Sequence, residues 1–105
     1  MEKVLNDKVT IITGAGQGIG EAIAKVFSAA GSKIVVATRT RENGQQTVDD
    51  IIAAGGDAIL IQVDVGSKEA VFQTVEKTIE HYGRLDICVH NAAVFAIQSV
   101  EKLSD

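Results

Sequence analysis

The chain has little of what a disulfide-rich, membrane-spanning or nucleic-acid-binding protein needs. Its 105 residues include no proline and one cysteine, Cys88, which cannot form an intrachain disulfide. The chain has ten basic and 14 acidic residues, which give a net charge of -4. It therefore offers no diffuse basic surface for nucleic acid or an anionic membrane. No segment approaches the roughly 18 consecutive apolar residues of a membrane span. Residues 1–6 also lack the apolar core of a secretion signal. Together these absences predict a protein of the reducing cytoplasm.

What is present is an alternation of apolar runs and helical patterns that predicts one domain over residues 1–105. Strands are predicted at 9–13, 33–37, 58–61 and 85–90, and helices at about 18–30 and 41–54 and between Ser67 and Gly83. The tail after Ala93 is predicted to carry no further strand. Each helix has an apolar stripe, expected to comprise Ala22, Ile23, Val26, Phe27 and Ala30, then Val48, Ile51 and Ile52, then Val71, Val75, Thr78, Ile79 and Tyr82.

Strands that read as unbroken apolar runs between helices indicate a parallel sheet buried on both faces. Right-handed crossovers then give the strand order 3-2-1-4, a partial Rossmann-like, three-layer α/β fold that stops before a fifth strand. The loops after the four strands emerge at the carboxyl edge of the sheet, where such folds bind ligands. Four loops are therefore expected to share one crevice.

The first of these loops is rich in glycine. Residues 13–20 read Thr-Gly-Ala-Gly-Gln-Gly-Ile-Gly and connect a β-branched run to a helical pattern. Free amides and the positive dipole end at the start of a helix suit a phosphate. The spacing fits neither the nucleotide-kinase loop, which needs a Lys before Ser or Thr, nor the G-x-G-x-x-G fingerprint. A glycine-rich turn that binds nothing is the alternative.

The pattern present, T-G-x-x-x-G-x-G, resembles the nucleotide loop of the short-chain dehydrogenase/reductase family, whose members hold NAD or NADP there. The resemblance implies that the residues of this loop bind the cofactor, namely Gly14, Gly16, Gln17, Gly18, Ile19 and Gly20.

The end of the second strand selects between the two dinucleotides, because an acidic residue there binds a ribose 2′-hydroxyl whereas Arg accommodates a 2′-phosphate. Here Arg39 and Thr40 follow the strand, and no acidic residue stands within two positions of that point. NADP is therefore predicted over NAD. In the alternative interpretation, Arg39 and Arg41 form a solvated helix entrance that pairs with Glu42.

Two further segments match the family by position. Asp64 and Val65 follow the third strand, where the family binds adenine, although a helix-entry Asp is common in any α/β protein. At the end of the fourth strand, Asn91 and Ala92 match the family's N-N-A-G segment, with Ala93 in the place of its glycine. The resemblance implies that these three residues bind the cofactor and that the backbone of Asn91 faces the adenosine ribose. His90, which also departs from that segment, is interpreted as structural.

The resemblance covers the whole chain, but the chain corresponds to about the first two-fifths of such an enzyme. The family's catalytic Ser and its Y-x-x-x-K motif come later, and the single tyrosine here, Tyr82, is followed four residues on by Asp86. No catalytic residue and no metal ligand is therefore predicted. The expected function is the NADP(H)-binding portion of an oxidoreductase, whose carbonyl or alcohol substrate binds only a full-length form. The alternative is a non-catalytic dinucleotide-binding or interaction module.

The same truncated sheet predicts self-association. Strand four is expected to be an unpaired edge, and the sheet face that carries only the third helix is expected to be partly bare.

Overall fold

The computed structural model describes residues 4–13, 18–63 and 68–90, and the backbone of 93–101. Strands and helices alternate as predicted up to the fourth strand: β1 (Val9–Thr13), α1 (Gly18–Ala29), β2 (Lys33–Thr38), α2 (Arg41–Ala53), β3 (Ala58–Gln62), α3 (Lys68–Tyr82) and β4 (Arg84–His90). A fifth strand, β5 (Ala93–Glu101), follows. The three helices end next to glycines with positive φ, Gly31, Gly55 and Gly83, which the helix-stop pattern predicts.

The sheet has the order β3-β2-β1-β4-β5. Neighbours among the first four strands run parallel, which confirms the predicted order 3-2-1-4. β5 runs antiparallel to β4, and Ala93 pairs with His90.

The prediction that no strand follows Ala93 is therefore wrong, and so is the prediction that β4 is an open edge. Residues 93–97 read Ala-Val-Phe-Ala-Ile, a composition that favours strands. Because only two residues separate the two strands, β5 can fold back directly and pair antiparallel with β4. Pairing along β4 supplies the backbone partners that the sequence alone did not reveal.

Both faces of the sheet carry a core. On one face, Ile12, Ile34 and Val36 pack with Ala24 of α1 and Ile51 of α2. On the other face a second cluster of strand residues packs against α3, with Val9, Ile11, Val35, Ala37, Ile61 and Leu85 buried beneath Val75, Ile79 and Tyr82. Helices α1 and α2 thus share one face and α3 lies on the other, as right-handed crossovers require.

Four residues of the predicted apolar stripes are exposed: Ala22, Val26 at 59%, Ile52 at 53% and Val71 at 42%. The α1 stripe is centred on Ala24, which is fully buried. At 100° a residue, Val26 lies about 200° around the helix from Ala24 and so points away from the sheet.

Gly44, in the second turn of α2, lets this helix approach the sheet closely. A Cβ built there would lie 2.6 Å from Leu60 Cδ1, 2.6 Å from Thr38 Cγ2 and 3.3 Å from Val36 Cγ1. The beginning of α2 is thereby held against the carboxyl ends of β2 and β3.

Gly44→Ala is expected to lower the free energy of unfolding by roughly 1–2 kcal/mol, because overpacking outweighs the gain in helix propensity of about 1 kcal/mol. Urea unfolding measures the change. Asn43→Ala, at an exposed position of the same helix, is the control and should leave the midpoint unchanged or raise it. A Gly44→Ala protein as stable as the original would show that Leu60 and Thr38 yield without cost.

Candidate functional site

The carboxyl ends of β1 to β4 lie at one edge of the sheet, since the four strands are parallel. Their last residues are Thr13, Thr38, Gln62 and His90. In open α/β sheets, nucleotides bind in a crevice at this edge.

Helix α1 begins at the last residues of the glycine-rich segment. Gly18 is the first helical residue and has a φ of 63°, a conformation that strains any residue with a side chain. A Cβ at Gly18 would meet nothing within 4 Å, so the space beside it is open to a ligand. Ile19 is 66% exposed and Gly20 is half-buried. This arrangement fits a diphosphate at the α1 N-terminus; Gly14, Gly16 and Gln17 lie outside the described residues.

The turn from β2 to α2 forms a second part of the crevice. Arg39, Thr40 and Arg41 are all exposed, and Thr40 is the N-cap of α2 without a capping hydrogen bond from its side chain. The backbone N–H of Thr40 instead donates to Thr38 Oγ1 at 3.2 Å. Two guanidinium groups thus lie beside the positive end of a helix, an environment that favours an anion.

Glu42 is the acidic residue nearest to these arginines in the sequence. The ion pairs found in the described parts of the chain join Lys25 to Glu21 and Asp50, and Arg84 to Asp86. None joins Glu42 to Arg39 or Arg41, so the described contacts give no support to the alternative in which Glu42 neutralises them.

The ends of β1 and β4 are bridged by side chains. Thr13 Oγ1 lies 3.0 Å from Nδ1 of His90 and donates to the carbonyl oxygen of Val89 at 3.4 Å. Because the hydroxyl proton is directed at Val89, the oxygen can accept a proton from His90 Nδ1. Cys88 is half-buried, and burial raises the pKa of its thiol, which makes it a poor nucleophile.

The other predicted cofactor residues at this edge are Asp64, Val65, Asn91 and Ala92, which lie outside the described residues. Ala93 is the first residue of β5. It therefore has extended backbone and avoids the positive φ that a glycine at this place would allow.

Two cavities lined by described residues lie at opposite edges of the sheet. One of about 340 Å³ lies at the carboxyl edge on the α3 face, between Val71 and Val75 of the helix and Ile11, Cys88 and His90 of the sheet. A larger one, of about 710 Å³, lies at the amino edge, next to residues that precede the strands, including Asp7, Ser32 and Asp57. The larger cavity is at the opposite edge from the glycine-rich loop, so its size does not identify it as the nucleotide site.

The described residues contain no group of three or more His, Cys, Asp or Glu side chains suited to a metal ion. Within the same residues, no helix is both long and apolar enough to cross a membrane.

The sequence pattern reveals neither the partner of Tyr82 nor the contact made by Gln62. Tyr82 is half-buried against the α3-side core, and its hydroxyl donates to Asp57 Oδ1 at 2.9 Å rather than facing Asp86. Gln62 Nε2 donates to the carbonyl oxygen of Arg39 at 3.1 Å. The two residues are 23 positions apart and meet only because β2 and β3 pair with Thr38 opposite Gln62, so no local signal could have revealed the contact.

Comparison with known proteins agrees with this geometry. The family model described as short chain dehydrogenase matches residues 8–105. Versicolorin reductase stcU of Emericella nidulans is 42% identical over 101 residues, which are 95% of this chain and 38% of that protein. Versicolorin reductase 1 of Aspergillus parasiticus is 45% identical over 91 residues, 86% of this chain and 35% of its own length.

Solved structures show the same likeness. The crystal structure of hydroxysteroid dehydrogenase from Escherichia coli superposes with a TM-score of 0.81 at 35% identity, and the match covers 84% of this chain and 37% of that one. This chain therefore spans 35–38% of the length of these three relatives, while the family model covers nearly all of it. The chain belongs to the short chain dehydrogenase family, whose members use NAD(P) cofactors.

Proposed function

We propose that this chain is the NADP(H)-binding portion of an enzyme that interconverts a carbonyl and an alcohol by hydride transfer. The observation that carries the choice of NADP is the exposed Arg39 directly after β2, beside the positive end of α2. An Arg at this place can form a bidentate contact with a 2′-phosphate.

In this proposal the chain's own residues bind and orient the cofactor. The Gly18 turn and the first amides of α1 hold the diphosphate, and Arg39 and Thr40 hold the 2′-phosphate. Asp64, Val65, Asn91, Ala92 and Ala93 receive the adenosine end by resemblance to the family. The nicotinamide, when bound, supplies or accepts the hydride.

The enzyme class, the location, the partners and the oligomeric state do not depend on any one site of the chain. The names of the matched relatives, reductases and dehydrogenases, support an oxidoreductase over the non-catalytic module. A cytoplasmic location, a single domain over residues 1–105 and the absence of nucleic-acid and membrane partners stay predictions from composition. Self-association also stays a prediction. Since β5 pairs with β4, self-association no longer follows from an open edge of β4, and its remaining ground is the sheet face that carries only α3.

NADP selectivity can be tested without the nicotinamide by calorimetric titration with 2′,5′-ADP and 5′-AMP. The first should bind about thirtyfold more tightly, since a charge-assisted Arg–phosphate contact contributes about 2 kcal/mol. Arg39→Ala should remove most of that ratio and leave 5′-AMP binding unchanged.

Lys8→Ala is the matched control, because it removes one exposed positive charge at the amino edge of β1, away from the crevice. It should leave the ratio intact. Equal affinities for the two nucleotides in the original protein, or an unchanged ratio in Arg39→Ala, would contradict the assignment of NADP.

A further inference from the structure

The turn between β2 and α2 is held by contacts from both strands beside it. The N–H of Val63 donates to the carbonyl oxygen of Thr38 at 2.9 Å, so the β2–β3 ladder continues to the last residue of β2. One residue further, the carbonyl oxygen of Arg39 accepts the hydrogen bond from Gln62 Nε2. Together with the Thr38 bond to the Thr40 amide, this fixes the peptide groups on both sides of Arg39.

The beginning of α2 adds a second constraint. The N–H of Gly44 donates to the carbonyl oxygen of Thr40 at 3.3 Å, and Gly44 packs too closely on Leu60 and Thr38 for a Cβ to fit. The helix cannot shift toward the sheet, and the Gln62 bond opposes a rotation of the Arg39 peptide away from β3. Among these contacts, the hydrogen bond from Gln62 joins a side chain directly to Arg39.

We infer that Gln62 is a positioning residue for the cofactor's 2′-phosphate, acting through the Arg39 carbonyl to hold that guanidinium over the crevice. The inference rests on the proposed function of Arg39. Gln62 is exposed at the end of β3. Its carboxamide is therefore not needed to satisfy a buried polar group of the fold. Its effect is expected on the 2′-phosphate alone, because it touches the peptide that carries Arg39.

The test variant is Gln62→Met, which keeps the length of the side chain and removes the donor. The affinity for 2′,5′-ADP should fall about threefold to tenfold, the range of one net hydrogen bond, while that for 5′-AMP stays within twofold. Gln46→Met is the matched control, since Gln46 is an exposed residue of α2 whose amide donates to Asp50 at 2.9 Å. It should change neither affinity.

A double-mutant cycle separates positioning from a general effect on the fold. If Gln62 acts through Arg39, the nucleotide ratio of Gln62→Met/Arg39→Ala equals that of Arg39→Ala alone. Two independent losses that add, or a Gln62→Met protein with the original ratio, would overturn the inference. A fall in 5′-AMP affinity as well would show a structural role only and would also overturn it. If the original protein itself showed no preference for 2′,5′-ADP, the proposed function of Arg39 would fail before that of Gln62, and the inference with it.

Discussion

Asp86→Ala is expected to lower the free energy of unfolding by about 2–3 kcal/mol, because it leaves a buried backbone donor unsatisfied and removes charge-assisted hydrogen bonds. Asp86 is only 5% exposed although it is a carboxylate within a β-strand. Its Oδ1 accepts from Arg84 Nη2 at 2.7 Å, and its Oδ2 accepts from Arg84 Nε and from the backbone N–H of Val9, both at 2.9 Å.

The contact with Val9 gives Asp86 its structural role. Val9 is the first residue of β1, and the described ladder between β1 and β4 pairs Thr10 with Ile87, so Asp86 ties the amino ends of these two strands together. Its removal leaves the buried Val9 amide without this acceptor and takes the carboxylate away from Arg84. An unmet buried donor is costly, because water does not solvate it.

The measurement is urea unfolding of Asp86→Ala, Arg84→Ala and the double variant. Asp49→Ala is the control, since Asp49 is exposed and its contact is with Gln45 of the same helix; its effect should stay below about 0.5 kcal/mol. The double variant should lose less than the sum of the two single losses. A loss from Asp86→Ala as small as that from Asp49→Ala would contradict the role of this carboxylate.

The regular part of the fold follows from local sequence patterns. The apolar runs predict β1 to β4, and the handedness of crossovers predicts their order without any knowledge of contacts. Burial of both faces of β1, with all five residues buried, is what an unbroken apolar run indicates.

The parts that local patterns miss depend on partners distant in the sequence. Residues 93–101 show neither a helical pattern nor a regular alternation of apolar and polar residues. They form a strand because β4 offers an edge with which they can pair. Asp86 reads as a charge that interrupts an apolar run, yet Arg84 stands two residues earlier. In a regular strand, residues two apart share a face, so that spacing was an available signal for the pair. The contact of Gln62 with Arg39 depends on strand register, which the sequence pattern leaves open.

For the nucleotide site, the sequence predicts the places but not the contacts. The end of β2 and the start of α1 lie at one edge, as the alternation of strands and helices requires. The hydrogen bonds that hold Arg39, and the bridge from Thr13 to His90, involve side chains from neighbouring strands. These become visible only once the strands are paired.

The 105-residue chain by itself is expected to bind NADPH without measurable transfer of hydride to an activated aldehyde. A positioned acid/base group contributes about 10²-fold to 10⁴-fold to such a rate, and Tyr82 is the one tyrosine in the chain. Tyr82 is the last residue of α3, and its hydroxyl donates to Asp57, directly before β3. It therefore lies at the amino edge, opposite the glycine-rich loop.

The pKa of Tyr82 is also unsuitable for an acid/base catalyst near neutral pH. Burial and, after it, the hydrogen bond to the Asp57 carboxylate raise the pKa of Tyr82 above its usual value, whereas a tyrosine that exchanges protons near neutral pH needs a lowered pKa. The test follows NADPH absorbance with the purified chain, and Tyr82→Phe should give the same background rate. Turnover that survives repurification and disappears in Gly18→Trp, which fills the space beside the α1 N-terminus, would contradict the prediction. If Tyr82→Phe alone abolished that turnover, Tyr82 would be the group responsible, despite its position and pKa.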